Sequence, residues 1–390
     1  MPENTTGNPS RLLAASALLL LPIFLVSCGS NTRVVCNPPS SASGASTTCG
    51  CVGTATTACP LQQNEYLYTS GTTGQVLAFN IVAGTGALSS PISTMTGTAS
   101  MGIALVEDQF VYISDPLHAQ LDGFSFGQSG ALNTLTGSPF SLGNPSIPQG
   151  LASPTSGLNM LYAADDGAVD AFSISEAGVP TSIAGSPFPS GTNLYLTTDP
   201  YGQFVFTSVD DPPGGIFGFT IGSTGGLTEI PGSPFSIPGQ TVANSQPSGI
   251  VANELYVYAA LTGSNQIAAF SITNGTGVLT QVANSPFSAG AEPTAMVLTN
   301  SFLYVINSLD FTISGYSVDS STGALAPLAN SPFSIAGTAL TADSFGQYLY
   351  VSGPTGIQAF TIDSGSGNLT PITGSPFAAS DVVSLIVAQE

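Results

Sequence analysis

The sequence has almost no basic side chains. Its 390 residues include two, Arg11 and Arg33, and no residue after position 33 carries a permanent positive charge. Proteins that bind DNA or RNA neutralise phosphates with lysine and arginine, so the composition excludes that class. The same lack removes the usual protein ligands of a sugar phosphate and of anionic lipid headgroups.

Tryptophan is absent, histidine occurs once, and charged residues make up only 6% of the chain. In their place stand 45 glycines, 29 prolines and many small hydroxyl and amide side chains, which is typical of short strands joined by tight turns. The formal net charge is −20. Repulsion among carboxylates predicts raised carboxylate pKa values in the folded state, so that stability falls as the pH rises.

Residues 1–27 are predicted to be an export signal. Arg11 supplies a positive flank, and residues 12–26 form an apolar run that is short for a membrane span. The run ends in Ser27-Cys28-Gly29, which resembles the bacterial lipobox. The resemblance implies that Cys28 is lipidated and that an extracytoplasmic protein is held at a membrane by this lipid alone, facing the periplasm or the cell surface. The alternative is an uncleaved anchor.

Residues 28–61 are predicted to be a tether, because their Ser, Thr, Gly and Pro content cannot build a core. Four cysteines of the tether are candidates for two disulfides in an oxidising compartment: Cys36, Cys49, Cys51 and Cys59. A pairing of Cys49 with Cys51 is sterically the least favourable. A zinc site is the alternative, although the spacing lacks paired C-x-x-C ligands.

From residue 62 to residue 390 the chain repeats itself. The clearest marker is Ser-Pro-Phe, with Pro at 139, 187, 234, 286, 332 and 376 and a related Pro at 91. The separations of 44 to 52 residues are typical of four-stranded propeller blades. The sequence therefore predicts an all-β, seven-bladed β-propeller with antiparallel blades. Within each marker, proline is expected to end the edge strand and phenylalanine to pack between blades.

The two ends of the repeat region complement each other. The first blade begins with the aromatic strand at Tyr66 and lacks an inner strand, while residues 382–388 follow the last marker as an unassigned apolar strand. We expect this C-terminal strand to pair into the first blade and close a monomeric ring, because closure leaves no open sheet edge.

The repeats resemble the 6-phosphogluconolactonase-type lactonase family of seven-bladed propellers, and the related YVTN-type propellers. The resemblance rests on segments such as Leu349-Tyr350-Val351, residues 357–362 and Gly367-Asn368-Leu369-Thr370, and it covers residues 62–390. It implies the fold more specifically than the activity. Family members with lactonase or cycloisomerase activity use arginine, histidine and glutamate around the channel, and this sequence has no arginine there.

One histidine is available for catalysis. His118 and Asp115 follow a strand and are predicted to lie on a loop between the second and third strands of a blade. A neutral imidazole beside a carboxylate is suited to general-base opening of an uncharged lactone. The alternative is a solvated surface histidine.

The same class of loops carries an acidic arc of candidate metal ligands, namely Asp165, Asp166, Asp210, Asp211 and Asp310. Oxygen ligands of this kind suit Ca²⁺ or Mg²⁺, and a bound ion would supply the positive charge that the propeller, here called the wheel, lacks. No EF-hand spacing supports the site, and aspartates that cap turns are the alternative. No cofactor is required by the sequence.

Two classes of function follow. The first is a non-catalytic, surface-tethered binding or scaffold module for a neutral small molecule, a carbohydrate or a partner protein. The second is a divergent, metal-assisted lactonase acting on an uncharged lactone.

Overall fold

The computed structural model describes residues 34–35, 50–51, 64–95, 100–142, 147–155, 157–192, 195–209, 214–240 and 246–389. The predicted signal and the cysteines Cys28, Cys36, Cys49 and Cys59 lie outside the described residues, and of Cys51 only the backbone is described. Within the described ranges, no helix is long and apolar enough to cross a membrane.

Two compact units divide the chain between residues 62 and 63. In the first, Val34–Val35 pairs antiparallel with Gly50–Cys51. The described part of the second unit forms seven antiparallel sheets, which confirms the predicted seven-bladed propeller.

The strands of each blade are given from the axis outwards. Blade 1 comprises Val382–Gln389, Glu65–Gly71, Gln75–Ile81 and Ile92–Met95. Blade 2 comprises Ile103–Val106, Phe110–Asp115, Gln120–Phe126, and the outer pieces Leu132–Thr134 and Phe140–Ser141, with a 3₁₀ turn at Gln128–Gly130. Blade 3 comprises Leu151–Ala152, then Met160–Ile174, which covers the positions of both the second and the third strand, and the outer pieces Pro180–Ser182 and Phe188–Thr192. Blade 4 comprises Leu196–Thr198, Phe204–Val209, Gly215–Ile221 and Leu227–Glu229.

The remaining blades follow the same order. Blade 5 comprises Pro247–Ala252, Tyr256–Leu261, Gln266–Ile272, Leu279–Gln281 and Phe287–Ser288. Blade 6 comprises Pro293–Leu298, Phe302–Asn307, Thr312–Val318 and Leu325–Pro327. Blade 7 comprises Leu340–Ala342, Tyr348–Gly353, Gly356–Ile362 and Leu369–Pro371.

The C-terminal strand closes the ring as predicted. Val382–Gln389 pairs antiparallel with Glu65–Gly71 along the whole length of the latter strand. Each inner strand contacts the inner strands of both neighbouring blades, so the seven inner strands form a continuous circle around the axis.

The core is divided among the seven blade interfaces, because each sheet packs its faces against its two neighbours. One buried hydrophobic cluster fills each interface. The aromatic side chains of the second strands dominate these clusters, and Tyr68, Tyr112, Tyr162, Tyr258, Tyr304 and Tyr350 are fully buried. Stability therefore depends on contacts between blades as much as on pairing within them.

The Ser-Pro-Phe marker has a structural role at all three positions. The serine hydroxyl accepts a hydrogen bond from a third-strand N–H of its own blade, as Ser285 does from Ala269 at 2.8 Å. The Ser-Pro bond is cis in all six markers. The phenylalanine backbone then pairs with the start of the third strand, as Phe287 does with Ile267. Its side chain joins the cluster shared with the next blade, as expected.

Candidate functional site

The inner strands enclose a channel that opens on one face of the wheel. This hairpin face is formed by the loops between the second and third strands of each blade and by the segments that enter the inner strands. The first residues of the inner strands line a cavity of about 340 Å³ there. Most of the wall is glycine, alanine and other aliphatic residues, and its polar or larger members include Met101, Gln149, Tyr195, Thr294, Thr338 and Ser384.

No charged residue and no histidine occurs among the described residues that line this cavity. The wall offers backbone groups, hydroxyls, one amide side chain and apolar surface. It therefore suits an uncharged ligand and supplies no acid, base or ion pair for chemistry.

Neutral hydroxyl groups hold the rim of the channel together. The Ser114 hydroxyl accepts the N–H of Gly102 at 2.7 Å and donates to the carbonyl of Gln149, in the next blade, at 2.9 Å. In blade 1, Ser384 donates to the carbonyl of Met101, which leads into the inner strand of blade 2, at 2.7 Å. These bonds join neighbouring inner strands and fix the shape of the cavity without any salt bridge.

The structure brings His118 and Asp115 close together, although Asp115 ends the strand Phe110–Asp115 and does not lie on the loop as expected from the sequence. Asp115 is the last residue of its strand and is buried, while the side chain of His118, on the loop 116–119, is 52% exposed. His118 Nδ1 lies 2.9 Å from Asp115 Oδ2. The other carboxylate oxygen accepts the backbone N–H groups of Leu117 and His118. A carboxylate on Nδ1 leaves Nε2 as the nitrogen that can take a proton from a ligand.

A nucleophile for this histidine is missing from the neighbouring strand. Ser114 precedes Asp115 but is fully buried, and its hydroxyl is already committed to Gly102 and Gln149. Within the described strand Phe110–Asp115, the arrangement is therefore a base with an orienting carboxylate but without a free serine hydroxyl to complete a nucleophilic triad.

The acidic arc is only partly described. Asp165 Oδ1 accepts the N–H groups of Ile147 and Asp166, both at 2.7 Å. Asp310 Oδ2 accepts the N–H of Ala291 at 2.6 Å. Asp165 and Asp166 lie within the strand Met160–Ile174 and not on the loop predicted from the sequence. Asp165 and Asp310 each bond the hairpin face to a segment that enters an inner strand.

Asp210 and Asp211 lie outside the described residues. In the described part of the chain, no three His, Cys, Asp or Glu side chains form a group that could hold a metal ion. A Ca²⁺ or Mg²⁺ site that includes Asp210 and Asp211 stays a prediction.

Two buried carboxyl groups beside the sequence candidates Asp115 and Asp165 were not themselves among the candidates. Asp122 and Asp170 occupy equivalent positions of the third strands of blades 2 and 3. Burial, reinforced by the charge of Asp115, raises the pKa of Asp122 to about 6. Burial, reinforced by the charge of Asp165, likewise raises the pKa of Asp170 to about 6. The only sequence signal for them is an aspartate inside an apolar strand, as in Leu121-Asp122-Gly123-Phe124.

A comparison with family models agrees with this architecture. Residues 218–341, in blades 4 to 7, match the model described as "Lactonase, 7-bladed beta-propeller". The matched residues belong to the seven-bladed architecture that this model describes. None of the curated proteins compared with the chain matches it.

Solved structures share the seven-bladed fold over nearly their whole length. A candidate 6-phosphogluconolactonase from Bacteroides uniformis is 18% identical, with a TM-score of 0.68 over 84% of this chain and 100% of the other. A candidate 6-phosphogluconolactonase from Bacteroides fragilis is 17% identical, with a TM-score of 0.67 over 84% and 98%. A periplasmic gluconolactonase from Pseudomonas aeruginosa is 16% identical, with a TM-score of 0.64 over 83% and 99%. At these sequence identities, the similarity supports a shared fold and carries no conclusion about function.

Proposed function

We propose that the wheel is a binding or scaffold module. In this proposal, lipid on Cys28 holds it at an extracytoplasmic membrane surface, and its hairpin face takes a neutral small molecule, a carbohydrate or a partner protein. The observation that carries the proposal is the uncharged wall of the channel. Ester hydrolysis requires a positioned base or nucleophile together with donors for the developing oxyanion, and this wall provides no acid or base.

A lactonase is the second candidate function. The hydrogen bond between His118 and Asp115 favours it, because it orients the single imidazole of the chain at the hairpin face. The match of residues 218–341 to the lactonase family model supports the same candidate. The substrate would be an uncharged lactone, since the wheel has no lysine or arginine to bind a phosphate.

One set of assays separates the two candidates. Purified full-length protein is incubated with uncharged aldonolactones, with and without a chelator, beside the His118→Ala and Asp115→Asn variants. We expect hydrolysis at the uncatalysed rate in every sample. Turnover that falls by about 100-fold or more in His118→Ala would instead establish the lactonase, because general-base catalysis contributes on the order of 10²–10⁴. Loss of turnover with chelator would assign a metal to it.

Binding is measured directly by calorimetric titration of neutral sugars. Tyr195 lines the channel and is a natural stacking surface, so Tyr195→Ala should weaken binding there. Tyr201, which is also exposed but lies on the opposite face, provides the matched control in Tyr201→Ala.

A further inference from the structure

Blade 6 presents two large apolar side chains to solvent at the hairpin face. Leu309 and Phe311 lie on the loop 308–311, and they are 60% and 67% exposed. Phe311 also has a positive φ of 55°, in the left-handed region that bulky side chains rarely adopt. An exposed aromatic residue in an unfavourable backbone conformation gains nothing for the fold, and such residues concentrate at functional sites.

Equivalent loops in other blades show what this position normally requires. The last residue of the four-residue hairpin loop is Asn265 in blade 5 and Ala119 in blade 2, with φ values of 57° and 52°. Asparagine is the non-glycine residue best suited to this conformation. Blade 6 therefore departs from the other blades by having phenylalanine at this position, and the loop geometry does not explain this choice.

The loop is held in place by its neighbours. Ser308 donates its N–H to the carbonyl of Glu292 at 2.9 Å, and Asp310 accepts the N–H of Ala291. Asn265 of the adjacent hairpin loop accepts the N–H of Glu292 at 2.9 Å. Because three segments are bonded to one another, the two apolar side chains stand on a preorganised platform, and preorganisation lowers the entropic cost of binding.

The charge around the platform is wholly negative. Asp310 stands between Leu309 and Phe311 in the sequence, and Glu292 contacts the loop through Ser308. Both acidic residues are exposed. No lysine or arginine exists anywhere in the wheel, so a second copy of the wheel cannot supply the complementary charge.

We propose that Leu309 and Phe311 form a docking site for a protein segment that carries an apolar residue flanked by lysine or arginine. The segment inserts its apolar side chain against Phe311 and places its cations beside Asp310 and Glu292. This inference rests on the proposed binding function and assigns it a site and a class of partner.

The test uses full-length protein and a short synthetic peptide in which a Leu-Phe pair is flanked by lysines. Fluorescence anisotropy should show binding that is lost when the lysines are replaced by glutamates and weakened by high salt. Phe311→Asn should lower the affinity at least about tenfold, as expected for an aromatic anchor. The same variant should keep or raise the melting temperature, by about 1–2 °C, because asparagine suits the left-handed backbone.

Phe345 is the matched control, because it is 60% exposed but lies on a loop of the opposite face. Phe345→Asn should leave the affinity unchanged. Equal affinity of wild type and Phe311→Asn, or an equal loss in both variants, would overturn the docking site. So would a lowered melting temperature in Phe311→Asn, which would make Phe311 a packing residue. Dimerisation of wild type that Phe311→Asn abolishes would assign the site to a second copy instead.

The docking site and the proposed function fail separately. Binding of a neutral sugar that Tyr195→Ala removes and Phe311→Asn leaves intact, without peptide binding, would refute the docking site alone. Turnover of a lactone by the His118 site would refute the binding module alone.

Discussion

In six of the seven blades, a buried tyrosine of the second strand links the blade to the next. Its hydroxyl donates to the carbonyl of a glycine in the neighbouring blade, as Tyr258 does to Gly323 at 3.0 Å. The same bond is made in five further blades, by Tyr68, Tyr112, Tyr162, Tyr304 and Tyr350. Blade 4 has Phe206 at this position and makes no such bond.

Removal of one of these hydroxyls should destabilise the wheel. Tyr258→Phe leaves the buried Gly323 carbonyl without its donor, at an expected cost of about 1–2 kcal/mol. Phe206→Tyr is the reverse experiment, since its new hydroxyl would face Gly277, the glycine of the next blade. Thermal and urea unfolding of both variants measure the effect, with the exposed Tyr201→Phe as control. An unchanged midpoint for Tyr258→Phe would show that the bond contributes nothing.

The sequence predicts the roles of local motifs better than those of single polar residues. The glycine of the Gly-x-Leu segment is required because Gly130, with a φ of 78°, lies against the ring of Tyr66. Repetition makes such a position visible in one chain. The burial of Asp122, by contrast, could not be predicted from the repeat, because burial of a carboxyl depends on the packing of the neighbouring blade, which no local pattern encodes.

At the scale of elements, ring closure was predictable because it follows from counting strands. In chain order, the first repeat has no segment for an inner strand, and an unassigned strand segment follows the last marker. The division of the outer strand was not predictable. In blades 2, 3 and 5 the outer strand consists of two short pieces, one on each side of the Ser-Pro bond, and both pair with the third-strand residues.

Loss of the closing strand should open the wheel. Leu385 is buried in the cluster between blades 7 and 1, so Leu385→Ala should cost about 2–5 kcal/mol. Removal of residues 382–390 should cost more and expose the edge of Glu65–Gly71 to aggregation. Melting temperature and light scattering measure both effects, and Val383→Ala, which alters a half-buried residue of the same strand, is the control. A truncated chain that melts like the wild type would contradict closure.

At the scale of the whole molecule, the described residues make no lysine or arginine salt bridge. His118–Asp115 is the one ion pair among the described residues, and it is charged only when the histidine is protonated. At the rim of the channel, hydrogen bonds between hydroxyl and backbone groups join neighbouring blades instead. The direction of the pH effect predicted from the net charge has the support of five raised aspartate pKa values, for Asp108, Asp122, Asp170, Asp199 and Asp343. Burial is the leading cause in each, and repulsion by a neighbouring carboxylate adds to it for Asp122, Asp170 and Asp343.

The sign of this linkage gives a pH prediction. The carboxyls of Asp122 and Asp170 have pKa values of about 6 in the folded protein, above the unfolded value of about 3.9, so the folded state binds more protons. Their stabilising contribution is complete below pH 4 and is lost as the pH rises through 6. The melting temperature should therefore fall between pH 5 and pH 7. Asp122→Asn/Asp170→Asn, which keeps both sites neutral, should flatten this fall.

Asp319→Asn is the control with the opposite sign. Hydrogen bonds from Ser321 and Thr322 hold the pKa of Asp319 below its usual value, so its contribution is present at neutral pH and is lost on acidification. This variant should lower the melting temperature at pH 7 and leave the slope between pH 5 and pH 7 unchanged. A wild-type melting temperature that rises steadily over that interval would show that the buried carboxyls do not retain their protons. In that case the interfaces between blades 1, 2 and 3 would have to stabilise the ionised carboxylates of Asp122 and Asp170.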